Sequence, residues 1–139
     1  MKSKIGIKEA VKFHGHLGPY LILGVLAGEA ALKKLKAKKY FGIRLKVYGA
    51  NKRPKSCLID GLQLSTGATQ GKGNIEKFDG PKIKILFFNC SGKAKLTLHF
   101  KNSLLRQLET AKTHKDAESL ARRLYKTDPL DIFCLELKT

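Results

Sequence analysis

Cysteine is scarce in this sequence, with only Cys57, Cys90 and Cys134 at wide spacings. An odd number of cysteines so far apart matches neither a disulfide framework nor a four-cysteine zinc motif. This usage is typical of a reducing compartment, and we expect a cytoplasmic protein. Cys90 and Cys134 stand inside apolar strand patterns, so we expect both in the core.

Long hydrophobic runs are also lacking. The most apolar stretch, residues 17–32, contains three glycines and Glu29, and it falls short of the ~18 to 20 residues that a membrane span requires. Met1–Lys4 lead straight into an amphipathic pattern, without the charged region, apolar region and cleavage site that follow one another in a signal peptide. We therefore expect no membrane association and a buried helix in the apolar stretch.

Acidic residues are few, with 11 against 28 basic residues and a formal net charge of +17. Such an excess suggests nucleic acid as a partner, because clustered lysines gain affinity by releasing counterions from phosphates. The lysines are scattered, however, and no arginine-rich arm, zinc finger or strand of surface aromatics accompanies them. We expect a solvated basic surface and no nucleic-acid partner, with a basic nucleic-acid-binding scaffold as the alternative function.

Hydrophobic periodicity supplies the secondary structure. It predicts helices over 7–13, 19–36 and 56–66, a strand over 43–48, a hairpin of strands over 82–89 and 95–100, two short helices capped near Asn102 and Asp116, and a last strand around Phe133. Residues 66–80 are rich in glycine and polar side chains and are predicted to form an ordered loop. This order of elements predicts one α+β domain over residues 1–139, with a largely antiparallel sheet packed with helices.

Small residues form a ridge along the second predicted helix. Gly24, Ala27, Gly28 and Ala31 recur at spacings of three and four, which allows another backbone to approach closely. The partner is either a neighbouring helix of the same chain or the same helix of a second subunit.

Two histidines flank a glycine just before the second helix, at His14 and His16. Imidazole is a borderline-soft ligand, so a His-x-His pair suits transition metals. The alternative is that one histidine caps the first helix while the other is exposed to solvent.

Cys57 is predicted to begin a helix, with Ser56 as its N-cap. At that position the helix dipole and unpaired N–H groups lower the pKa of a thiol, which favours a nucleophile or a metal ligand. The alternative is a buried small hydrophobic residue. Asp60, one turn further on, can bond to a histidine or to water.

The segment Gly67–Asn74 resembles a phosphate-binding loop only superficially, because it has the wrong spacing and follows a helix. Its polar residues, with Thr66, either line a ligand pocket or tie a loop together.

Two long motifs identify a family. The first motif is Phe-His-Gly-His-Leu-Gly-Pro at residues 13–19, and the second is Cys-Leu-Ile-Asp-Gly-Leu-Gln at residues 57–63, which the 66–74 segment follows. In this order, the motifs resemble the family of the E subunit of formylmethanofuran dehydrogenase. The resemblance implies an α+β domain, a homodimer, and a metal-binding cleft where the histidine motif meets the cysteine helix. It also implies association with a molybdenum or tungsten dehydrogenase. Ala68 replaces the second cysteine of many members, and we expect a short form of the family without the cysteine-rich zinc-binding domain of longer members.

Together these observations predict a metal-binding protein, as an enzyme or an accessory factor in C1 or molybdenum/tungsten metabolism. We expect His14, His16 and Cys57 to bind a divalent metal, with zinc favoured, and Cys57 and Asp60 to be the catalytic candidates. The predicted ligand-binding residues are Gln63, Thr66, Thr69, Lys72 and Asn74.

Overall fold

A five-stranded sheet organises the protein. The computed structural model describes residues 5–139; Met1–Lys4, where the sequence shows no signal-peptide pattern, lie outside the described residues. The strands are β1 (Ile43–Tyr48), β2 (Ile75–Phe78), β3 (Lys84–Asn89), β4 (Lys95–Phe100) and β5 (Phe133–Lys138), in the spatial order β2-β1-β3-β4-β5. The helices are α1 (Ile7–His14), α2 (Pro19–Leu35), α3 (Cys57–Thr66), α4 (Asn102–Thr110), α5 (His114–Tyr125) and α6 (Pro129–Ile132).

The helices cover one face of the sheet. Ile43, Leu45 and Val47 alternate with half-buried residues along β1 and join the core that α2, α3 and α5 complete. Three of the four strand pairs are antiparallel, and only β1 and β2 run parallel. The predicted α+β fold with a largely antiparallel sheet is therefore confirmed.

The small-residue ridge of α2 lies against α3 within the same chain. A Cβ atom at Gly24 would come within 2.8 Å of the Gly61 Cα, and one at Gly28 would overlap the Ser65 side chain. The Ser65 hydroxyl donates to the Gly24 carbonyl oxygen at 3.1 Å. Because Gly24 meets Gly61 and Gly28 meets Ser65, α2 and α3 run in the same direction with both N-termini at one end.

This packing removes the ridge as evidence for a homodimer. All four ridge residues are buried inside the chain, so they cannot form a subunit interface. The homodimer remains a prediction that depends on the family resemblance alone.

The segment predicted as a loop over residues 66–80 contains a strand. Its last part forms β2, which pairs with β1 so that Leu45 lies opposite Ile75. Ile75 is the buried residue of this short edge strand and the next two side chains are exposed, so the sequence has too little alternation to reveal it.

Two cysteine predictions are wrong. Cys90 and Cys134 are exposed. Cys134 pairs with His99 on the sheet face away from the helices, while its neighbour Phe133 is buried in the core. Cys90 follows β3 in a turn, where its backbone N–H donates to the Gly42 carbonyl.

No single helix among residues 5–139 has both the length and the apolarity to cross a bilayer. Within the same residues, the pair of α1 and α2 has sufficient length and apolarity, but the two helices are bent by 117° at the break between them.

Candidate functional site

A histidine and a carboxylate meet where α1 ends beside α3. The His14 Nδ1 lies 2.7 Å from the Asp60 Oδ2. The α1 helix ends at His14 because Gly15 takes a left-handed conformation with φ of 111°, and its N–H donates to the Val11 carbonyl. Glycine adopts that φ without strain, so the chain can reverse direction directly after His14.

The second ring nitrogen of His14 is left without a hydrogen-bond partner by the residues that the structure describes. A carboxylate accepts hydrogen bonds, so Nδ1 carries the proton and Nε2 of the neutral ring presents a lone pair. Nε2 is buried and, among residues 5–139, no group forms a hydrogen bond with it. A buried polar atom without a partner is unfavourable by about 1–3 kcal/mol, and an ordered water or a bound ion is a usual partner for such an atom.

His16 lies next to this orphaned nitrogen. The two imidazole centroids are 5.0 Å apart and their planes are tilted by 33°. The His14 side chain is 11% exposed, whereas His16 is exposed to solvent. The pair therefore combines one fixed, buried imidazole with one that can turn.

Cys57 belongs to the same end of α3. Burial, followed by the charge of Asp60, raises the pKa of the Cys57 thiol, and the Arg53 guanidinium opposes this shift. The thiol is therefore the dominant form at neutral pH. The expectation that its position lowers the pKa is wrong.

Local hydrogen bonding at the start of α3 also differs from what that expectation assumed. Ser56 has helical dihedral angles and its side chain makes no capping bond. A preceding turn supplies carbonyl acceptors for the first three N–H groups of α3: Pro54 to Cys57, Lys55 to Leu58 and Ser56 to Ile59. The thiol consequently does not face the row of free N–H groups that would stabilise a thiolate.

The side chains of His14, His16 and Cys57 are of the types that bind a metal ion, but they are not arranged as a metal site. Two imidazoles and a thiol are the ligand types that zinc prefers, and the His14 Nε2 has a lone pair with which it could bind a metal. Yet within residues 5–139 no three histidine, cysteine, aspartate or glutamate side chains stand close enough to hold a metal.

Four of the five predicted ligand-binding residues lie at or beyond the other end of α3, and the fifth, Gln63, lies in the second half of the helix. From Cys57 to Thr66 the helix rises about 14 Å. Thr66 donates to the Leu62 carbonyl at 2.6 Å, and the Gln63 side chain accepts from the Gln70 N–H at 3.0 Å. Thr66 and the loop residues Thr69, Lys72 and Asn74 are therefore separated from Cys57, whereas Gln63 lies within one helical turn of Asp60 and its side chain is bonded to the loop.

Asn74 is the centre of this second cluster. Its Oδ1 accepts from the Thr69 N–H at 2.9 Å, and its Nδ2 donates to the carbonyls of Tyr40 and Ile43 at 2.6 and 3.2 Å. The Thr69 hydroxyl accepts from the Lys72 N–H at 3.1 Å. These bonds tie the 66–74 loop to the segment before β1.

Arg53 is a residue that sequence reasoning missed. It lines a surface cavity of about 350 Å³ with Gly49, Asn51, Lys52, Pro54, Lys55, Asp79 and Gly80. The cations clustered just before Cys57 were the available signal, but only the folded chain shows that Arg53 influences the thiol.

The family model described as "FmdE, Molybdenum formylmethanofuran dehydrogenase operon" matches residues 13–133. The chain belongs to this family. The resemblance inferred from the histidine and cysteine motifs of this FmdE-family chain is thereby confirmed.

A solved structure shares the fold. It is that of a tungsten formylmethanofuran dehydrogenase E-subunit (FmdE)-like protein from Syntrophus aciditrophicus, with a TM-score of 0.65 and 16% identity over 96% of this chain and 70% of that chain. At this identity the likeness establishes the fold alone. No curated protein matches the chain.

Proposed function

We propose that this FmdE-family chain binds one divalent metal ion, zinc by preference, through His14, His16 and Cys57. The observation that carries the proposal is the buried His14 Nε2, which has no hydrogen-bond partner among the described residues. We further propose that the chain serves formylmethanofuran dehydrogenase metabolism, as an enzyme or as an accessory factor.

The Asp60 carboxylate supports this assignment. Histidine ligands of metals commonly donate their other ring N–H to a carboxylate, which fixes the tautomer and makes the ligand nitrogen more basic. His14 and Asp60 have this arrangement at 2.7 Å. Asp60 is therefore the residue that positions His14, and its carboxylate is partly exposed and so also accessible as a base.

Cys57 and His16 complete the proposed ligand set by adjusting their side chains. His16 is exposed and free to turn toward the His14 Nε2. The Cys57 thiol must lose its proton to become a ligand, so metal affinity should rise with pH. A zinc ion with three protein ligands would supply Lewis acidity at an open coordination position.

The family name and the structural neighbour support the metabolic part of the proposal. The family description refers to a molybdenum formylmethanofuran dehydrogenase operon, and the neighbour is an FmdE-like protein named for a tungsten formylmethanofuran dehydrogenase. We propose association with such a dehydrogenase in the cytoplasm, and a homodimer. Co-purification with the dehydrogenase tests the association, and light scattering of the purified protein tests the homodimer.

Metal analysis tests the binding site directly. Protein purified without chelator should carry close to one divalent metal per chain, and His14→Ala, His16→Ala and Cys57→Ser should each lower that content while circular dichroism stays unchanged. His114→Ala and Cys90→Ser are matched controls, because they remove an exposed histidine and an exposed cysteine elsewhere. Full metal content in all three site variants would show that the ligand assignment is wrong.

A further inference from the structure

The sheet face that points away from the helices carries a regular pattern of rings and cations. We call this surface the open face and define it by the alternate residues of β1, β3 and β4. Between β1 and β3, Arg44 lies opposite Phe88 and Tyr48 lies opposite Lys84. These side chains are half-buried, and they belong to neither of the two hydrophobic core clusters.

Aromatic rings and cations contact each other across the open face. The Arg44 guanidinium lies 4.5 Å from the Phe88 ring centroid, and the Lys84 Nζ lies 4.7 Å from that of Tyr48. Tyr48 also stacks on Phe78 of the neighbouring strand β2, with centroids 5.0 Å apart and planes 21° apart. The open face therefore presents flat π surfaces with positive charges beside them.

The charge of the open face has one sign. Its nine positions on β1, β3 and β4 include no carboxylate and four cations, namely Arg44, Lys46, Lys84 and Lys95. Glu76 and Glu136 are opposite neighbours on the two edge strands. This concentration of cations on the central strands is a feature that the linear sequence, with its scattered lysines, does not display.

We propose that the open face binds single-stranded nucleic acid. Unpaired bases stack on aromatic side chains whatever their sequence, and neighbouring cations neutralise the phosphates. Binding would exchange the cation over each ring for a base and release that cation toward a phosphate. Duplex DNA fits less well, because its bases are already stacked inside the helix.

A second copy of this chain is a poorer occupant. Two open faces placed against each other would oppose eight cations, four from each face, and like charges in contact are unfavourable. The proposal reverses the expectation from the sequence, which assumed that no strand of surface aromatics accompanies the lysines. The structure places Phe78 and Phe88 within about 6 Å of the Lys46 Nζ and Tyr48 beside Lys84.

Fluorescence anisotropy with a labelled ten-nucleotide oligouridine and the full chain tests the proposal. We expect saturable binding at 50 mM salt that weakens by about 50-fold at 200 mM if four phosphates are contacted. Phe88→Leu and Tyr48→Leu keep an apolar side chain but remove the ring, and each should weaken binding by about tenfold. The double variant Lys46→Gln, Lys84→Gln should reduce the salt dependence as well as the affinity.

The matched control is Lys8→Gln with Lys115→Gln, which removes two exposed charges from helices. If this pair weakens binding as much as the open-face pair, the attraction is a general charge effect and the proposal is wrong. Absence of binding at 50 mM salt, or tighter binding of a duplex of the same length, would also overturn it. A dimer in light scattering that Phe88→Glu dissociates would assign the open face to a second copy instead.

Discussion

The two ends of α3 differ in how completely their polar groups are paired. At the Cys57 end, His14 Nε2 is buried without a hydrogen-bond partner among the described residues, and burial raises the pKa of the thiol. At the Thr66 end, the side chains of Asn74 and Thr69 hold the loop through several hydrogen bonds. Both ends carry motifs typical of the family, so the motif alone does not separate the two roles.

The comparison teaches that an unsatisfied group is a better guide to chemistry than a polar one. A hydrogen bond that closes a loop stabilises the fold and leaves little capacity for a ligand. A buried acceptor atom without a partner is unfavourable for the protein by itself, and a ligand that binds to it removes that penalty. The proposed metal site is therefore at the Cys57 end, and we propose a scaffolding role for the Thr66 end.

The largest expected effect is on the contact between α2 and α3, which holds α3 and both of its ends in place. Gly28→Leu should lower the free energy of unfolding by more than about 3 kcal/mol, because the new side chain would overlap Ser65 and Thr66. Urea unfolding measures this loss of stability. Gly92→Leu is the control, since nothing lies within 4 Å of that position. Equal stability of the two variants would show that α2 and α3 are not packed so closely.

The next effect belongs to the Thr66 end. Asn74→Ala removes three hydrogen bonds and should lower the free energy of unfolding by about 3 kcal/mol, at about 1 kcal/mol for each bond. Metal content should not change, because Asn74 lies at the Thr66 end of α3, away from the proposed metal ligands. A variant that stays stable but loses metal would break the comparison between the two ends.

Much of this organisation could be predicted from the sequence. Periodicity located α1, α2 and β1, and the two motifs identified the family. The separation between the two ends of α3 could not be predicted from the sequence, because the 57–63 motif and the 66–74 segment follow each other almost directly along the chain. The orphaned state of His14 Nε2 depends on contacts between α1 and α3, which are distant in sequence, and the pairing of the first N–H groups of α3 depends on the turn before it.

A smaller effect is expected from Asp60→Asn at the Cys57 end. The amide still fills the space but no longer accepts as an anion from His14 Nδ1, so the tautomer and orientation of the ring are less well fixed. Loss of such a supporting carboxylate lowers metal affinity by about 10- to 100-fold. Competition with a zinc-sensitive dye measures the affinity, and Asp79→Asn is the control at an exposed carboxylate outside the site. An unchanged affinity in Asp60→Asn would mean that His14 does not need this partner.

The smallest effect concerns the reactivity of the Cys57 thiol in metal-free protein. Burial and the Asp60 carboxylate raise its pKa, and Arg53 opposes them. Asp60→Asn should therefore shift the pH midpoint of alkylation by iodoacetamide to lower pH, and Arg53→Gln should shift it to higher pH. The shift is limited because burial, the first cause, remains in both variants.

The alkylation measurement needs a background in which Cys90 and Cys134 are replaced by serine, because both are exposed and would react as well. Opposite shifts in the two variants would show that the thiol responds to the charges at its own end of α3. If neither variant moves the midpoint, these charges do not reach the thiol. The proposed role of Asp60 would then be limited to His14, and Cys57 would be a ligand governed by burial alone.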